Sequence, residues 1–297
     1  MNGAATEAAL QSNANAFVNA LRQLGWIEGQ NLRVDIRWNA SDAALAKTYA
    51  AQLIGLQPDV ILVASTTNLE IIRQATSVIP VVFVQVSDPV AQGFVRSVAQ
   101  PGGNLTGFSQ YEFSIGGKWL NLLKEAAPGI TQVAFMFNPD TSPQSKFFSR
   151  SVEAAASSMG VQMIAANIRS TADIETAMEN FARQPNGGVI LPTDSFARRH
   201  QKLIADLAGR HRLPAISAYP DFHRAGGLMS YGVTFNAAEQ FELAATYVHR
   251  ILNGMKPGDL PVQATDKYRL AINLKVARAL GLTLPLPLLG LADEVIE

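Results

Sequence analysis

The sequence predicts an α/β protein made of two doubly wound, Rossmann-like lobes with parallel sheets. Strand and helix signals alternate along nearly the whole chain, which is typical of helices that cover parallel strands. Two segments, 60–89 and 189–221, share one pattern: an apolar strand, a helix, and a second apolar strand that begins near a proline. Polar residues follow several of these strands at their carboxyl ends, where open α/β sheets bind ligands.

The first part of the chain predicts a helix, a strand and a second helix. Asn13–Leu24 carries apolar residues at helical spacing. Asn31–Trp38 alternates apolar and polar residues, and so predicts a strand. Ser41 or Asp42 can cap the helix that follows, which runs to about Leu56.

Two continuous apolar runs, Asp59–Ala64 and Pro80–Val86, predict strands that are buried on both faces. Between them a helix is predicted over Thr67–Ala75, with Thr67 and Glu70 at the spacing of a capping box. Leu105–Phe108 predicts a further short strand.

The remainder of the chain repeats the alternation. Strands are predicted at Val133–Phe137, Gln162–Ile168, Gly188–Leu191, Pro214–Ala218, Gly227–Tyr231 and Tyr268–Leu274. Helices are predicted at Ser114–Ala127, from the Ser142 cap and Pro143 to Met159, at Thr171–Arg183, at Asp194–Arg210, from Asn236 to Leu252, and over a short stretch to Leu280.

The pattern opens with a helix, whereas one common doubly wound order places its first strand in the middle of the sheet. For a lobe of that type, the central strand is expected just upstream of Met1, with Met1–Gly3 as its end. The alternative is that this lobe is built differently.

Composition excludes several classes of function. Lys and Arg number 24, as do Asp and Glu, which argues against a nucleic-acid binder and against a polybasic membrane-surface protein. The chain has no cysteine, which removes disulfides, thiol nucleophiles and Cys-ligated metals. Apolar runs are too short to predict a membrane span, and Met1–Ala16 does not have the pattern of a secretory signal.

No catalytic or metal-binding constellation is present in the sequence. Phosphate-loop and dinucleotide motifs are absent, and Gly107–Gln110 lacks the last glycine of a nucleophile elbow. None of the histidines has the spacing of paired metal ligands. We therefore expect no catalytic residue, no metal and no cofactor, and an α/β hydrolase-type enzyme is the least favoured alternative.

Candidate ligand-binding residues lie at the carboxyl ends of the predicted strands. Hydroxyl, amide and carboxylate groups meet there with free N–H groups at helix starts, where an anion such as a carboxylate is stabilised. The alternative for Thr67, Ser142 and Asp194 is that each only caps its helix. The candidates are Ser65, Thr66 and Asp88 in the first lobe, and Asn138, Asp140, Thr141, Thr193, Asp194 and Tyr219 in the second.

Several longer motifs resemble a known family. They are Leu24–Leu32, Pro58–Leu62, Phe83–Val90, Gln100–Phe108, Lys118–Lys124, Gly226–Gly232, Lys256–Gln263 and Ala292–Ile296. Together they resemble the ABC-transporter substrate-binding protein family, including its tryptophan- and tyrosine-type uptake members, over almost the whole chain.

This resemblance implies a type I periplasmic-binding-protein architecture with three crossing strands. The crossings are expected near Ser109–Ser114, Tyr231–Phe235 and Val262–Lys267. Lobe 1 would comprise 1–109 and 232–264, and lobe 2 would comprise 110–231 and 265–297.

The resemblance also implies a function: the solute-binding component of an ABC importer. The expected ligand is an amino acid, aromatic or branched-chain, with another small carboxylate as the alternative, and it is held in the cleft between the lobes. Gly3 and Ala4 join the first-lobe candidates, and Asp194 pairs the ammonium of an amino-acid ligand. The expected partners are the ligand and a membrane permease, with no nucleic acid, for a monomer that is periplasmic or anchored outside the cytoplasm. A ligand-sensing regulatory module of the same fold is the alternative.

Overall fold

The computed structural model describes residues 7–39, 42–233, 237–264 and 267–297. The chain divides into two compact units, the first formed by Met1–Glu112 and Phe235–Thr265, the second by Phe113–Thr234 and Asp266–Glu297. It therefore passes from one unit to the other at three places.

Unit 1 is a parallel sheet covered by helices on both faces. Its described strands are β1 (Ile61–Ala64), β2 (Val81–Ser87), β3 (Leu105–Tyr111) and β9 (Gln263–Ala264), in the spatial order β1-β2-β3-β9. Its described helices are α1 (Glu7–Gln23), α2 (Ala43–Gly55), α3 (Thr66–Ala75) and α9 (Ala237–Leu252), with a short 3₁₀ turn at Pro257–Asp259.

Alternate side chains of the unit 1 strands enter two separate cores, which is why these strands are apolar throughout. Val82 and Val84 pack in one cluster with α1 and α9, where Phe17 and Val248 are buried. Val81 and Phe83 pack in the other cluster, with the helices α2 and α3.

Unit 2 contains a seven-stranded sheet in the order β11-β10-β8-β7-β6-β4-β5. Its strands are β4 (Gln132–Phe137), β5 (Gln162–Asn167), β6 (Gly187–Leu191), β7 (Ala215–Ser217), β8 (Met229–Val233), β10 (Tyr268–Asn273) and β11 (Glu294–Ile296). Its helices are α4 (Ile115–Ala126), α5 (Ser145–Met159), α6 (Thr171–Ala182), α7 (Ser195–Arg199), α8 (Gln201–Arg210), α10 (Leu274–Ala279) and α11 (Leu286–Gly290). All its strand pairs are parallel except β8 with β10, which is antiparallel.

The two βαβ blocks that resemble each other in sequence are both present. In unit 1, β1 and β2 pair in parallel, with α3 between them along the chain. In unit 2, β6 and β7 pair in parallel, with α7 and α8 between them along the chain. The α/β class with parallel-dominated sheets is therefore confirmed.

The prediction of a strand at Asn31–Trp38 is wrong. Among the described residues this stretch forms only a single bridge, between Glu28 and Leu32, and no strand. Alternation encodes two faces, but a strand also needs a neighbour for its backbone N–H and C=O groups. No described strand pairs with this segment.

Two helix starts and the continuity of one helix also differ from the predictions. The cap of α3 is Ser65 rather than Thr67, because the Ser65 side chain accepts a hydrogen bond from the Asn68 amide. α5 begins at Ser145 rather than at the Ser142–Pro143 pair. The helix predicted over Asp194–Arg210 is interrupted at His200. The Asp42 cap of α2 is confirmed by its hydrogen bonds from the Ala44 and Leu45 amides.

Candidate functional site

The carboxyl end of β1 in unit 1 carries a strained backbone. Ser65 has a φ of 83° and a ψ of 150°, a region that residues with a side chain rarely occupy. Its amide donates to the Val84 carbonyl at 3.1 Å, and its hydroxyl accepts from the Asn68 amide at 3.3 Å. The sheet and the helix thus hold Ser65 from both sides, and such over-determined strain occurs at ligand sites.

The end of β2 is tied to the same helix start. Thr66 is buried, and its Oγ1 accepts a hydrogen bond from the Ser87 amide at 3.2 Å. Asp88 follows with a φ of 36°, and its Oδ1 accepts from the Ala91 amide at 3.0 Å. The three unit 1 candidates therefore lie at one edge of the sheet, where the hydrogen bond from Ser87 to Thr66 joins the two loops.

Asp194 is the centre of the unit 2 candidates. Its side chain is buried, with only 1% of the residue exposed, at the start of α7. The carboxylate accepts from the Phe196 and Ala197 amides of that helix. It also accepts from the Asn138 amide, at 2.8 Å, and from the Thr141 hydroxyl. One carboxylate thus connects the loop after β6 with the loop after β4.

Burial raises the pKa of Asp194, while the hydrogen bonds from Thr141, Asn138, Phe196 and Ala197 act in the opposite direction. Because all four donors belong to this chain, the carboxylate first of all positions the 138–141 loop. Its predicted pairing with a ligand ammonium stays a prediction.

The 138–141 loop is a compact turn. The Asn138 side-chain oxygen accepts from the Asp140 amide at 2.9 Å, and the Asn138 carbonyl accepts from the Ser142 amide at 2.9 Å. The Asp140 carboxylate is 65% exposed and forms an ion pair with Arg169 at 2.9 Å. Asp140 therefore lies on the outside of the loop that Asn138 and Thr141 form.

Thr193 connects the same loops through its backbone. Its carbonyl accepts from the Ser142 hydroxyl at 2.6 Å and from the Gln144 side-chain amide at 3.4 Å. Two buried oxygen atoms here, Thr193 Oγ1 and Gln144 Oε1, have no hydrogen-bond partner among the described residues. Unpaired buried oxygens are costly, so both atoms are available to a hydrogen-bond donor.

Tyr219 follows β7 and forms a small polar cluster. The Arg198 guanidinium lies 4.7 Å from the centre of the Tyr219 ring, a cation–π contact. Arg198 also lies 3.8 Å from an Asp221 carboxylate oxygen, which accepts a hydrogen bond from the Gln201 side-chain amide at 3.2 Å. The cluster therefore presents an aromatic ring, a cation and a carboxylate side by side.

Sequence reasoning did not propose Arg198, Gln201 or Gln144 as site residues. The first two lie on either side of His200, where the predicted helix is interrupted. The helical spacing of 194–210 gives no sign of this interruption. Gln144 was hidden by the helix start predicted at Ser142. Gly3 and Ala4, which were predicted to join the site, lie outside the described residues.

The described residues offer no sign of a metal centre. In ranges 7–39, 42–233, 237–264 and 267–297, no three His, Asp or Glu side chains form a group that could hold a metal ion. Every helix in these same ranges is too short or too polar to span a bilayer.

A two-unit α/β chain with hydroxyl, carboxylate and aromatic groups at the carboxyl edges of its sheets has the features of a type I solute-binding protein. A family model described as "ABC transporter substrate binding protein" matches residues 5–296. The chain belongs to this family, whose members are non-enzymatic, extracytoplasmic proteins that bind small ligands and deliver them to ABC permeases.

Individual relatives match over almost the whole chain. A tyrosine-binding protein of Clostridioides difficile is 25% identical over 275 residues, which cover 92% of this chain and 77% of that protein. The crystal structure of a conserved domain protein from Vibrio cholerae has a TM-score of 0.83 and 27% identity, covering 98% of this chain and 96% of that one. An ABC domain in complex with L-Trp from Streptococcus pneumonia has a TM-score of 0.80 and 21% identity, covering 97% and 95%.

Proposed function

We propose that this chain is the solute-binding component of an ABC importer and that its ligand is an amino acid, aromatic or branched-chain. The observation that carries the proposal is the cluster of Tyr219, Arg198 and Asp221 at the carboxyl edge of the unit 2 sheet. An amino acid carries a carboxylate and an ammonium close together, and this cluster offers a partner to each. The tyrosine-binding relative supports the same class of ligand.

Tyr219 favours an aromatic side chain over an aliphatic one. A half-buried aromatic ring pairs with a second ring in a stacked or edge-on arrangement, which contributes about 0.5–1.5 kcal/mol beyond burial. Arg198 already lies over the ring and beside a carboxylate, so its guanidinium is positioned before a ligand arrives. Pre-organised groups lose less entropy on binding.

In unit 1 we assign Ser65 and Thr66 to the ligand carboxylate, because both lie at the N-terminal end of α3. The first N–H groups of a helix have no partner within that helix and favour an anion. We propose that Ser65 and Thr66 bind the same ligand as the unit 2 cluster, so that binding involves both units.

A thermal-shift screen tests the ligand class. We expect L-tryptophan, L-tyrosine, L-phenylalanine or L-leucine to raise the melting temperature in a saturable way, since a ligand at 100 times its Kd stabilises by about 2.7 kcal/mol. The amide and the deaminated analogue of the responding amino acid then show whether its carboxylate and its ammonium are recognised. A folded protein that responds to no amino acid would contradict the proposal.

Two substitutions of Ser65 separate ligand binding from folding. Ser65→Gly removes the hydroxyl but accepts the positive φ without strain, whereas Ser65→Ala removes the hydroxyl and keeps the strain. We expect both variants to bind about tenfold or more weakly by calorimetry, and Ser65→Gly to be the more stable of the two. Ser157→Ala, which removes an exposed hydroxyl of α5, is the matched control and should leave affinity unchanged. Full affinity in Ser65→Gly would remove this residue from the site.

A further inference from the structure

His223 is a buried histidine that the proposed ligand site does not use. It follows β7 in the 219–223 loop of unit 2, and only 1% of the residue is exposed. Its Nδ1 lies 3.0 Å from the Ser230 hydroxyl of β8. Its Nε2 lies 3.2 Å from Oε1 of Glu294 in β11, without the alignment of a hydrogen bond in the described chain. The ring is therefore enclosed between a hydroxyl group and a carboxylate.

The Ser230 hydroxyl connects this ring to the rest of the loop. Ser230 is fully buried, and its Oγ also lies 3.2 Å from the Pro220 carbonyl, to which it can donate. Pro220 stands between Tyr219 and Asp221 in the sequence. A hydroxyl group has a single proton, so Ser230 donates either to this carbonyl or to His223 Nδ1, and not fully to both. The choice depends on whether Nδ1 itself carries a proton.

The protonation state of His223 sets the direction of these hydrogen bonds. A ring protonated at both nitrogens donates from Nδ1 to Ser230, which leaves the Ser230 proton for Pro220, and its positive charge faces Glu294. A neutral ring with its proton on Nε2 accepts from Ser230 instead, and the Pro220 carbonyl loses this donor. The other neutral form directs the Nε2 lone pair at a carboxylate, which is repulsive. Loss of the ring proton therefore favours the release of Pro220.

Charged groups around the ring act in both directions. Glu294 favours a proton on the ring, whereas Arg224 and Arg269, whose side chains lie 2.8 and 3.9 Å from the same carboxylate, oppose it. The Asn273 side-chain amide donates to the His223 carbonyl at 2.9 Å and so fixes the backbone beside the ring. This contact does not depend on the ring proton, so the ring keeps its place in either state.

We propose that His223 is a proton-dependent switch on the ligand site of unit 2. A protonated ring lets the Ser230 hydroxyl hold the Pro220 carbonyl and so fixes the 219–223 loop, whereas a neutral ring releases it. This inference rests on the proposed function of that loop in binding an amino acid. A loop that is fixed before the ligand arrives loses less entropy on binding, so the ligand binds more tightly at the lower pH.

NMR of the ligand-free protein with isotope-labelled aspartate nitrogen tests the switch itself. The Asp221 nitrogen belongs to the same peptide group as the Pro220 carbonyl, so its signal reports the hydrogen bond from Ser230. Between about pH 5.5 and about pH 7.5, where histidine side chains ordinarily change charge, we expect this signal to shift in the wild type. It should shift at most about half as far in Ser230→Ala, which keeps the ring, and stay in place in His223→Asn. A wild-type signal that ignores pH, or an equal shift in Ser230→Ala, would overturn the proposal.

Calorimetry with the amino acid found in the thermal-shift screen tests the effect on binding. We expect the wild type to bind about three- to tenfold more tightly at about pH 5.5 than at about pH 7.5, which is the effect of one hydrogen bond. Ser230→Ala and His223→Asn should each bind with equal affinity at the two pH values. His211→Asn, at the C-terminal end of α8, is the matched control and should keep the wild-type ratio.

The outcomes separate this proposal from the proposed function. A ligand that binds the wild type with the same affinity at both pH values would overturn the switch and leave the amino-acid site in place. If no amino acid binds, the proposed function fails, and the Asp221 signal still decides whether the ring proton controls the loop. If Ser230→Ala does not fold, the comparison of the wild type with His223→Asn and His211→Asn decides.

Discussion

Asp194 shows how one buried side chain can organise the loops that present a site. Oδ1 accepts from the Thr141 hydroxyl and the Phe196 amide, while Oδ2 accepts from the Asn138 and Ala197 amides. A carboxylate that only capped α7 would accept from the Phe196 and Ala197 amides alone. The other two bonds reach the loop after β4, so this carboxylate determines the shape of both loops at once.

Replacing Asp194 by asparagine should destabilise the protein by about 2–4 kcal/mol. One of its two oxygens becomes an NH₂ group, which faces two donors that remain buried without an acceptor. Asp140→Asn is the matched control: its carboxylate is 65% exposed in a surface ion pair, so we expect a change within about 0.5 kcal/mol. Urea unfolding measures both, and equal losses would show that Asp194 does not organise the loops.

A comparison of the wild type with the Asp194→Asn variant should reveal the raised pKa of Asp194. The folded-state pKa of Asp194 lies above the ordinary value of 3.8. The contribution of its protonated carboxyl group to stability is therefore complete below pH 3.8 and is lost as the pH rises through the folded-state pKa. The asparagine of the Asp194→Asn variant does not titrate. The stability advantage of wild type over this variant should therefore be larger near pH 4 than near pH 7. An advantage that grows with pH would indicate that the hydrogen bonds outweigh burial.

At the scale of single elements, the Glu294 carboxylate links β11 to Arg224, in addition to the pairing of β11 with β10. Glu294 accepts hydrogen bonds from Arg224 Nε at 3.0 Å and Nη2 at 2.8 Å, and lies 3.2 Å from His223 Nε2 and 3.9 Å from Arg269 Nη1. The hydrogen bonds from Arg224, followed by the nearby His223 ring, hold the pKa of Glu294 below its usual value. β11 has only three residues, so the ion pair with Arg224 adds to a short ladder with β10.

Glu294→Gln should remove an acid-sensitive part of the stability. A lowered folded-state pKa gives a contribution that is complete above the ordinary value of 4.5 and is lost as the pH falls through the folded pKa. We expect the wild type to be more stable than the variant near pH 7, with the difference shrinking below about pH 4.5. Glu175→Gln, an exposed glutamate of α6, is the control for thermal unfolding across this range. A pH-independent difference would argue against the assigned role.

Helices and strands could be predicted from the sequence where the hydrophobic pattern reflects the burial of side chains. β1, β2 and β6 were found because strands buried on both faces carry apolar residues at every position. The Ser65 cap of α3 and the start of α5 at Ser145 were not predicted. A φ of 83° and a short turn before a helix do not change the hydrophobic pattern of the sequence. Asn31–Trp38 has the alternation of a strand, but pairing depends on residues far away in the chain.

The candidate site was predictable to the same extent. Apolar strands followed by polar residues identify the carboxyl edges of both sheets, and thereby Ser65, Thr66 and Asp194. Arg198 and Gln201 join the proposed site only because α7 and α8 meet at His200 and bring them beside Tyr219 and Asp221. That geometry depends on where a helix breaks, which side-chain periodicity does not report.

At the scale of the whole molecule, the repeated βαβ blocks give each unit a sheet edge with polar loops and a helix start. A ligand bound by one edge alone would stabilise one unit, whereas a ligand bound by both would link their folding and their motions. The proposed contacts through Ser65 and Thr66 in unit 1 and through Tyr219 and Arg198 in unit 2 belong to the second case.

Hydrogen exchange with and without the amino acid found in the screen tests this. We expect the ligand to slow exchange about tenfold or more in peptides that cover 65–68 of unit 1 and 219–222 of unit 2, because contacts at both edges suppress local opening. Peptides from α6, whose capping box is complete without a ligand, serve as the internal reference and should not change. The D-enantiomer controls for non-specific stabilisation. Protection confined to one unit would show that a single sheet edge binds the ligand and would contradict the proposed two-unit site.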